Sequence, residues 1–123
     1  MRFLSIYKHA ERTAPPSQEE MAAMGKLVEE GFKAGWLLAT EGCLPSKLGA
    51  RVRSSGGKLT VTDGPFTESK EIVGGFALLK VNSKEEALEL TRKFLQVAGD
   101  GECELRQIYE ADTCAPADAA ANS

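Results

Sequence analysis

Two short segments with the pattern Ser-x-x-Glu, at residues 17–20 and 83–86, mark the start of one helix near each end of the chain. In this capping box the serine side chain accepts a hydrogen bond from a backbone amide that the first helical turn leaves unpaired. Apolar residues at helical spacing follow both segments, and a glycine suited to a helix end follows at positions 35 and 99. The sequence therefore predicts two amphipathic helices, around which the remaining elements must fit.

The other regular segments have the alternation and the composition of strands. Four of them are predicted to form single strands: residues 2–9, 36–41, 72–81 and 103–109. Between the second and third of these, residues 50–54 and 58–62 alternate on either side of Ser55-Gly56-Gly57, which predicts a hairpin. Gly74-Gly75 interrupts the third strand and indicates a bulge or a close backbone approach.

The order of these elements is strand, helix, strand, hairpin, strand, helix, strand. This order predicts an α+β fold, a ferredoxin-like sheet with both helices on one face. The opposite face is then left uncovered, and we expect Phe3, Tyr7 and His9 of the first strand to lie on it. An uncovered apolar face usually has a partner, and a second copy of the chain, related by two-fold symmetry, is the simplest one. Ligand clefts often form at such an interface.

Composition excludes several classes of protein. The 123 residues suffice for one domain, which we predict at residues 1–110, followed from Ala111 by a disordered tail. A net charge of −3 makes a nucleic-acid partner unlikely, and no apolar run is long enough to predict a membrane span. Three cysteines without a Cys-x-x-Cys pair, and a single histidine, argue against a zinc site and fit a reduced, cytoplasmic protein without a signal peptide. No cofactor is predicted.

One stretch carries a family resemblance. The run from Thr62 to Glu71, which contains Asp63-Gly64-Pro65-Phe66, and the following Gly74-Gly75-Phe76 resemble the signature of the DGPF, or YCII-related, proteins. The resemblance implies a dimeric α+β barrel of ferredoxin-like halves. It implies little about chemistry, since most of the family has no assigned reaction. Some relatives are linked to bacterial sigma-factor systems, and others are suspected enzymes with a His–Asp pair; the aspartate of the motif is Asp63 here.

Asp63 and His9 are the candidate catalytic residues. Partial burial of Asp63 beside a loop would suit it to acid–base work, whereas the alternative is an Asx turn in which its carboxylate accepts backbone amides. His9 would share a proton with Asp63 if the first strand lies near the end of the hairpin; the alternative is a surface histidine.

Four further residues are candidates for ligand binding. Tyr7 points the same way as His9 and is either a hydrogen-bond donor or a packing residue of the sheet. Arg51 belongs to a basic hairpin that either attracts an anionic ligand or is simply solvated. Phe66 and Lys70 of the motif loop complete the set, with Lys70 and Glu71 a candidate charge pair at the mouth of the cleft.

Together these patterns predict a protein that binds a small molecule in a cleft at the dimer interface near Asp63. If the chain is an enzyme, proton transfer without metal or nucleotide is the simplest chemistry that these residues support. Two alternatives stay open at this stage. The chain is a non-catalytic binding or regulatory module for a transcription partner, or it is an oligomeric scaffold.

Overall fold

The computed structural model describes residues 1–12 and 14–111, so the tail predicted to be disordered lies, apart from Ala111, outside the described residues. Along the chain the elements are β1 (Arg2–His9), α1 (Gln18–Ala34), β2 (Leu37–Gly42), a 3-10 turn (Ser46–Leu48), β3 (Ala50–Ser55), β4 (Lys58–Asp63), β5 (Ile72–Lys80), α2 (Lys84–Ala98) and β6 (Glu102–Gln107). The 3-10 turn is the one of these elements that the sequence patterns did not predict.

Four of the strands form one antiparallel sheet in the order β2-β5-β1-β6, and β3 and β4 form a separate hairpin. With the hairpin set aside, the first and third strands lie in the centre and the second and fourth at the edges, which is the ferredoxin-like order predicted from the sequence. Gly74 has no partner in the β1–β5 register, because Tyr7 pairs with Gly75 and Lys8 with Val73. The predicted bulge is therefore confirmed, and it lies opposite the end of β1.

Both helices begin and end as their sequence signals predict. The hydroxyl oxygen of Ser17 accepts a hydrogen bond from the Glu20 amide at 3.1 Å, and that of Ser83 accepts one from the Glu86 amide at 3.1 Å. Gly35 ends α1 with a φ of 85°, a left-handed conformation that residues with a Cβ rarely adopt.

The buried core lies between the helices and one face of the sheet. Its buried apolar side chains are Phe3, Leu37, Leu79, Val81 and Ala87. Phe3 and Leu79 are partners across the central strands, so the side chains that share their face point toward the helices.

The strand register shows that the expected placement of Phe3, Tyr7 and His9 on the uncovered face is wrong. Phe3, Tyr7 and His9 share the covered face, and the uncovered face instead carries Leu4 and Ile6. Strand alternation separates the two sets of side chains, but both sets in β1 hold apolar residues. The sequence of β1 alone therefore does not decide which set the helices cover.

The β3–β4 hairpin is exposed along both strands and is fixed to the sheet at its base. The Glu11 carboxylate, just beyond β1, accepts hydrogen bonds from the backbone amide of Ser46 at 2.5 Å and from its hydroxyl at 2.6 Å. The same hydroxyl oxygen accepts a hydrogen bond from the Phe66 amide at 3.1 Å. These hydrogen bonds from Ser46 hold the pKa of Glu11 below its ordinary value, so the carboxylate that connects β1 to the hairpin is charged at neutral pH.

Candidate functional site

A cavity of about 830 Å³ lies between the two helices and the covered face of the sheet. This volume is within the range of pockets that bind small molecules. Its walls are mainly apolar, with side chains contributed by both helices and by the sheet: Met24, Leu27, Val28, Trp36, Leu79, Leu90, Phe94 and Val97. The cavity is formed within one chain and lies on the opposite side of the sheet from the uncovered face.

Four polar side chains line one part of this cavity, and we call them the polar end: Tyr7, His9, Arg12 and Glu20. The rings of Tyr7 and His9 stack with centroids 5.0 Å apart, and the guanidinium of Arg12 lies 3.3 Å from the Glu20 carboxylate. Arg12 is also close enough to Tyr7 to act on its pKa electrostatically. The sequence predicted Tyr7 and His9 as site residues, and the structure brings these two together.

Tyr7 is a packing residue whose hydroxyl is already engaged. Its ring meets the edge of Phe94 on α2 at a centroid distance of 5.1 Å, and its hydroxyl donates a hydrogen bond to the Asp100 carbonyl at 2.7 Å. Burial of the phenol, opposed by the nearby charge of Arg12, raises its pKa above the usual value. Tyr7 is therefore neutral at physiological pH and orients the neighbouring imidazole.

The orientation of His9 is set by two backbone contacts. Its Nδ1 lies 2.6 Å from the Ala10 carbonyl oxygen, and because a carbonyl only accepts, Nδ1 must carry the proton. In the neutral ring, Nε2 is then the atom with the free lone pair. The Nε2 edge of the ring lies against Gly74, where a Cβ atom would overlap the ring. The bulged glycine thus makes the space that the imidazole occupies.

Arg12 connects both helices at the polar end. One nitrogen pairs with Glu20 in the first turn of α1, and the other donates a hydrogen bond to the Ala98 carbonyl at the end of α2, at 3.2 Å. The sequence analysis predicted Glu20 only as part of a capping box, and it predicted neither Arg12 nor Glu20 as a site residue. The available signal was a basic residue five positions before the serine of a capping box.

The other predicted site residues lie elsewhere. Arg51 donates hydrogen bonds to Glu68 at 2.5 Å and to the Ser69 hydroxyl at 2.9 Å, and its guanidinium lies 3.9 Å from the centre of the Phe66 ring. Arg51 and Phe66 therefore hold the loop of the Asp-Gly-Pro-Phe motif against the hairpin.

Asp63 and Lys70 are exposed and belong to the lining of neither cavity found in the described part of the chain. Asp63 is the last residue of β4, where it pairs with Ala50 at the base of the hairpin. A catalytic pair of Asp63 with His9 stays a prediction.

Three further findings bear on the chemistry of the site. Cys43 lines the cavity and is exposed. Within residues 1–12 and 14–111, no group of three or more His, Cys, Asp or Glu side chains is placed to hold a metal ion. No helix in the same residues is long and apolar enough to cross a membrane.

Replacing Gly74 with Ala tests the arrangement of the imidazole. We expect a loss of unfolding free energy on the order of 1–3 kcal/mol, because the added methyl group overlaps the His9 ring. The loss should shrink when the same change is made in a His9→Ala background, as measured by denaturant unfolding in a double-mutant cycle. An equal loss in both backgrounds would mean that the backbone, and not the imidazole, requires glycine. Gly25→Ala, where open space surrounds the added methyl group on a helix, is the control and should not destabilise the chain.

Two comparisons with known proteins are consistent with this fold. The family model of the YCII-related domain matches residues 1–112. An uncharacterized protein of Rhizobium meliloti (strain 1021) is 33% identical over 90 residues, which cover 70% of this chain and 73% of that protein. The resemblance seen in the Asp-Gly-Pro-Phe segment thus extends over the whole described domain, and the chain belongs to the YCII-related domain family.

Proposed function

We propose that the chain binds a small, mainly apolar molecule in the cavity between its helices and its sheet. The observation that carries the proposal is the cavity itself, which combines about 830 Å³ of mainly apolar space with four polar side chains at one end. A well-formed apolar pocket with a few convergent polar groups is the usual form of a small-molecule site. The proposal moves the predicted site from a cleft near Asp63 to the interior of one chain.

His9 is the group that we propose to exchange a proton with the bound molecule. Its Nδ1 is occupied by the Ala10 carbonyl, so Nε2 is the position from which the neutral ring accepts a proton. Tyr7 stacks on the ring and restricts its orientation. This assignment keeps the acid–base role predicted for His9 and does not depend on Asp63. A regulatory role linked to a transcription system rests on the family resemblance, and no feature of the described residues adds to it.

Filling the cavity tests the proposal. The neutral dye N-phenyl-1-naphthylamine should fluoresce on binding to the wild-type chain, and Met24→Trp should weaken its affinity about tenfold or more, because the larger side chain occupies apolar space. Lys26→Trp is the matched control, since Lys26 lies on the same helix, is exposed and does not line the cavity. Dye binding that is absent from the wild-type chain, or that both variants lower equally, would count against the proposal.

A second copy of the chain is our proposed partner for the uncovered face of the sheet. That face carries apolar side chains from the two central strands: Leu4, Ile6, Val73, Phe76 and Leu78. Phe76 is 39% exposed and Val73 is 49% exposed, so part of this surface is open to water in the single chain. Contact between two such faces removes apolar area from water in both copies. The cavity lies on the other side of the sheet, so ligand binding and pairing use opposite faces.

Light scattering with Phe76→Glu tests the pairing. We expect the wild-type chain to be a dimer at micromolar concentration and the variant to be a folded monomer, because the carboxylate would have to be buried without a partner. Phe32→Glu is the control, since Phe32 is an exposed aromatic residue on α1, and it should leave the dimer intact. A monomeric wild type, or a Phe76→Glu variant that remains a dimer, would contradict the proposed interface.

A further inference from the structure

One cation, Arg12, faces the cavity. Among the described residues that line it, Arg12 is the single arginine or lysine, and it lies at the polar end beside Tyr7 and His9. The glutamates among the lining residues are Glu11, Glu20 and Glu41. Glu41 pairs with Phe76 in the sheet, so its side chain lies on the uncovered face. The Glu11 carboxylate accepts hydrogen bonds from Ser46 at the base of the hairpin, and Glu20 is the acid that pairs with Arg12.

The pair between Arg12 and Glu20 is weakly held. Nη1 of Arg12 lies 3.3 Å from Oε2 of Glu20. The two side chains are 47% and 49% exposed, so solvent weakens their attraction. The Glu20 side chain has a second contact, in which it accepts a hydrogen bond from the Ser17 hydroxyl at 3.3 Å. The backbone cap of α1 uses the Glu20 amide rather than its carboxylate. Moving the carboxylate away from Arg12 therefore leaves the start of the helix intact.

We propose that the molecule bound in the cavity is an amphipathic carboxylic acid, whose carboxylate replaces Glu20 on Arg12 while its apolar body fills the space between the helices and the sheet. The inference deepens the proposed function and rests on it. A planar guanidinium matches a carboxylate by two parallel hydrogen bonds, and a ligand held by the apolar walls can present its carboxylate in that geometry. The Ala98 carbonyl keeps Arg12 aimed across the helix ends during the exchange.

The charge of the lining selects a monoanion over a more highly charged ligand. A phosphate-like dianion would face the Glu20 carboxylate with one arginine to balance it. A neutral apolar molecule would fill the cavity but would gain nothing from Arg12. The apolar body of a carboxylic acid would pack against the cavity walls while its carboxylate pairs with Arg12. Its acid end would then lie beside His9.

The test compares two ligands with the same ring system. 2-Naphthoate and 2-naphthylmethanol are used to displace N-phenyl-1-naphthylamine from the full chain, and the ratio of their affinities is the measured quantity. In the wild type we expect naphthoate to bind about tenfold more tightly, because it alone forms an ion pair with two parallel hydrogen bonds to the guanidinium. The ratio should fall toward one in Arg12→Gln and should rise in Glu20→Gln, which removes the competing carboxylate.

The control is Arg92→Gln, since Arg92 lies on α2 and pairs with Glu89 on the exposed surface. It should leave the ratio unchanged. A wild-type ratio near one, or a ratio that Arg12→Gln does not lower, would overturn this inference while leaving the cavity proposal in place. Failure of the dye to bind the wild type would overturn the cavity proposal, and the carboxylic acid inference with it.

Discussion

The packing of Phe3 and Leu79 beneath the two helices is the contact on which the other features of this structure depend. These two residues are partners across the central strands, and both belong to the buried apolar core of the described residues. Because strand side chains alternate, burying Phe3 also directs Tyr7 and His9 toward the helices. The same contact leaves Leu4 and Ile6 on the uncovered face, so the cavity lies on one side of the sheet and the other side stays uncovered in the single chain.

Much of this architecture follows from local signals that a single sequence contains. The serines at 17 and 83 mark the helix starts, the turn at 55–57 marks the hairpin, and Gly74-Gly75 marks the bulge. These features depend on residues close together in the chain, which is why they were predictable. Which face of β1 the helices cover was not predictable, because both faces hold apolar residues. Packing against α1 and α2 determines which of the two is buried. The 3-10 turn at Ser46 was missed for a related reason, since the residue that fixes it is the distant Glu11.

The candidate site likewise combines residues that the sequence predicts with residues that only the packing of distant segments brings together. Tyr7 and His9 were predicted from their shared strand face, and the structure places both at the polar end of the cavity. Arg51 was predicted from the basic hairpin and Phe66 from the motif loop, and the structure shows that they contact each other and hold that loop in place. The described contacts of Arg51 and Phe66 in the motif region are therefore structural: they fix the conformation of the loop. Arg12 escaped notice because its partners, Glu20 and the Ala98 carbonyl, come together only when both helices pack on the sheet.

The placement of the cavity depends on the helices covering the face of β1 that carries Phe3, Tyr7 and His9. Nuclear Overhauser contacts between side chains in solution test this most directly, since they report which groups lie within a few ångströms of one another. We expect contacts between the rings of Tyr7 and Phe94, and between Phe3 and other side chains of the buried core that include Leu79. Contacts from Leu4 and Ile6 to side chains of α1 or α2 would show that the opposite face is covered, and would contradict the placement of the cavity and its polar end.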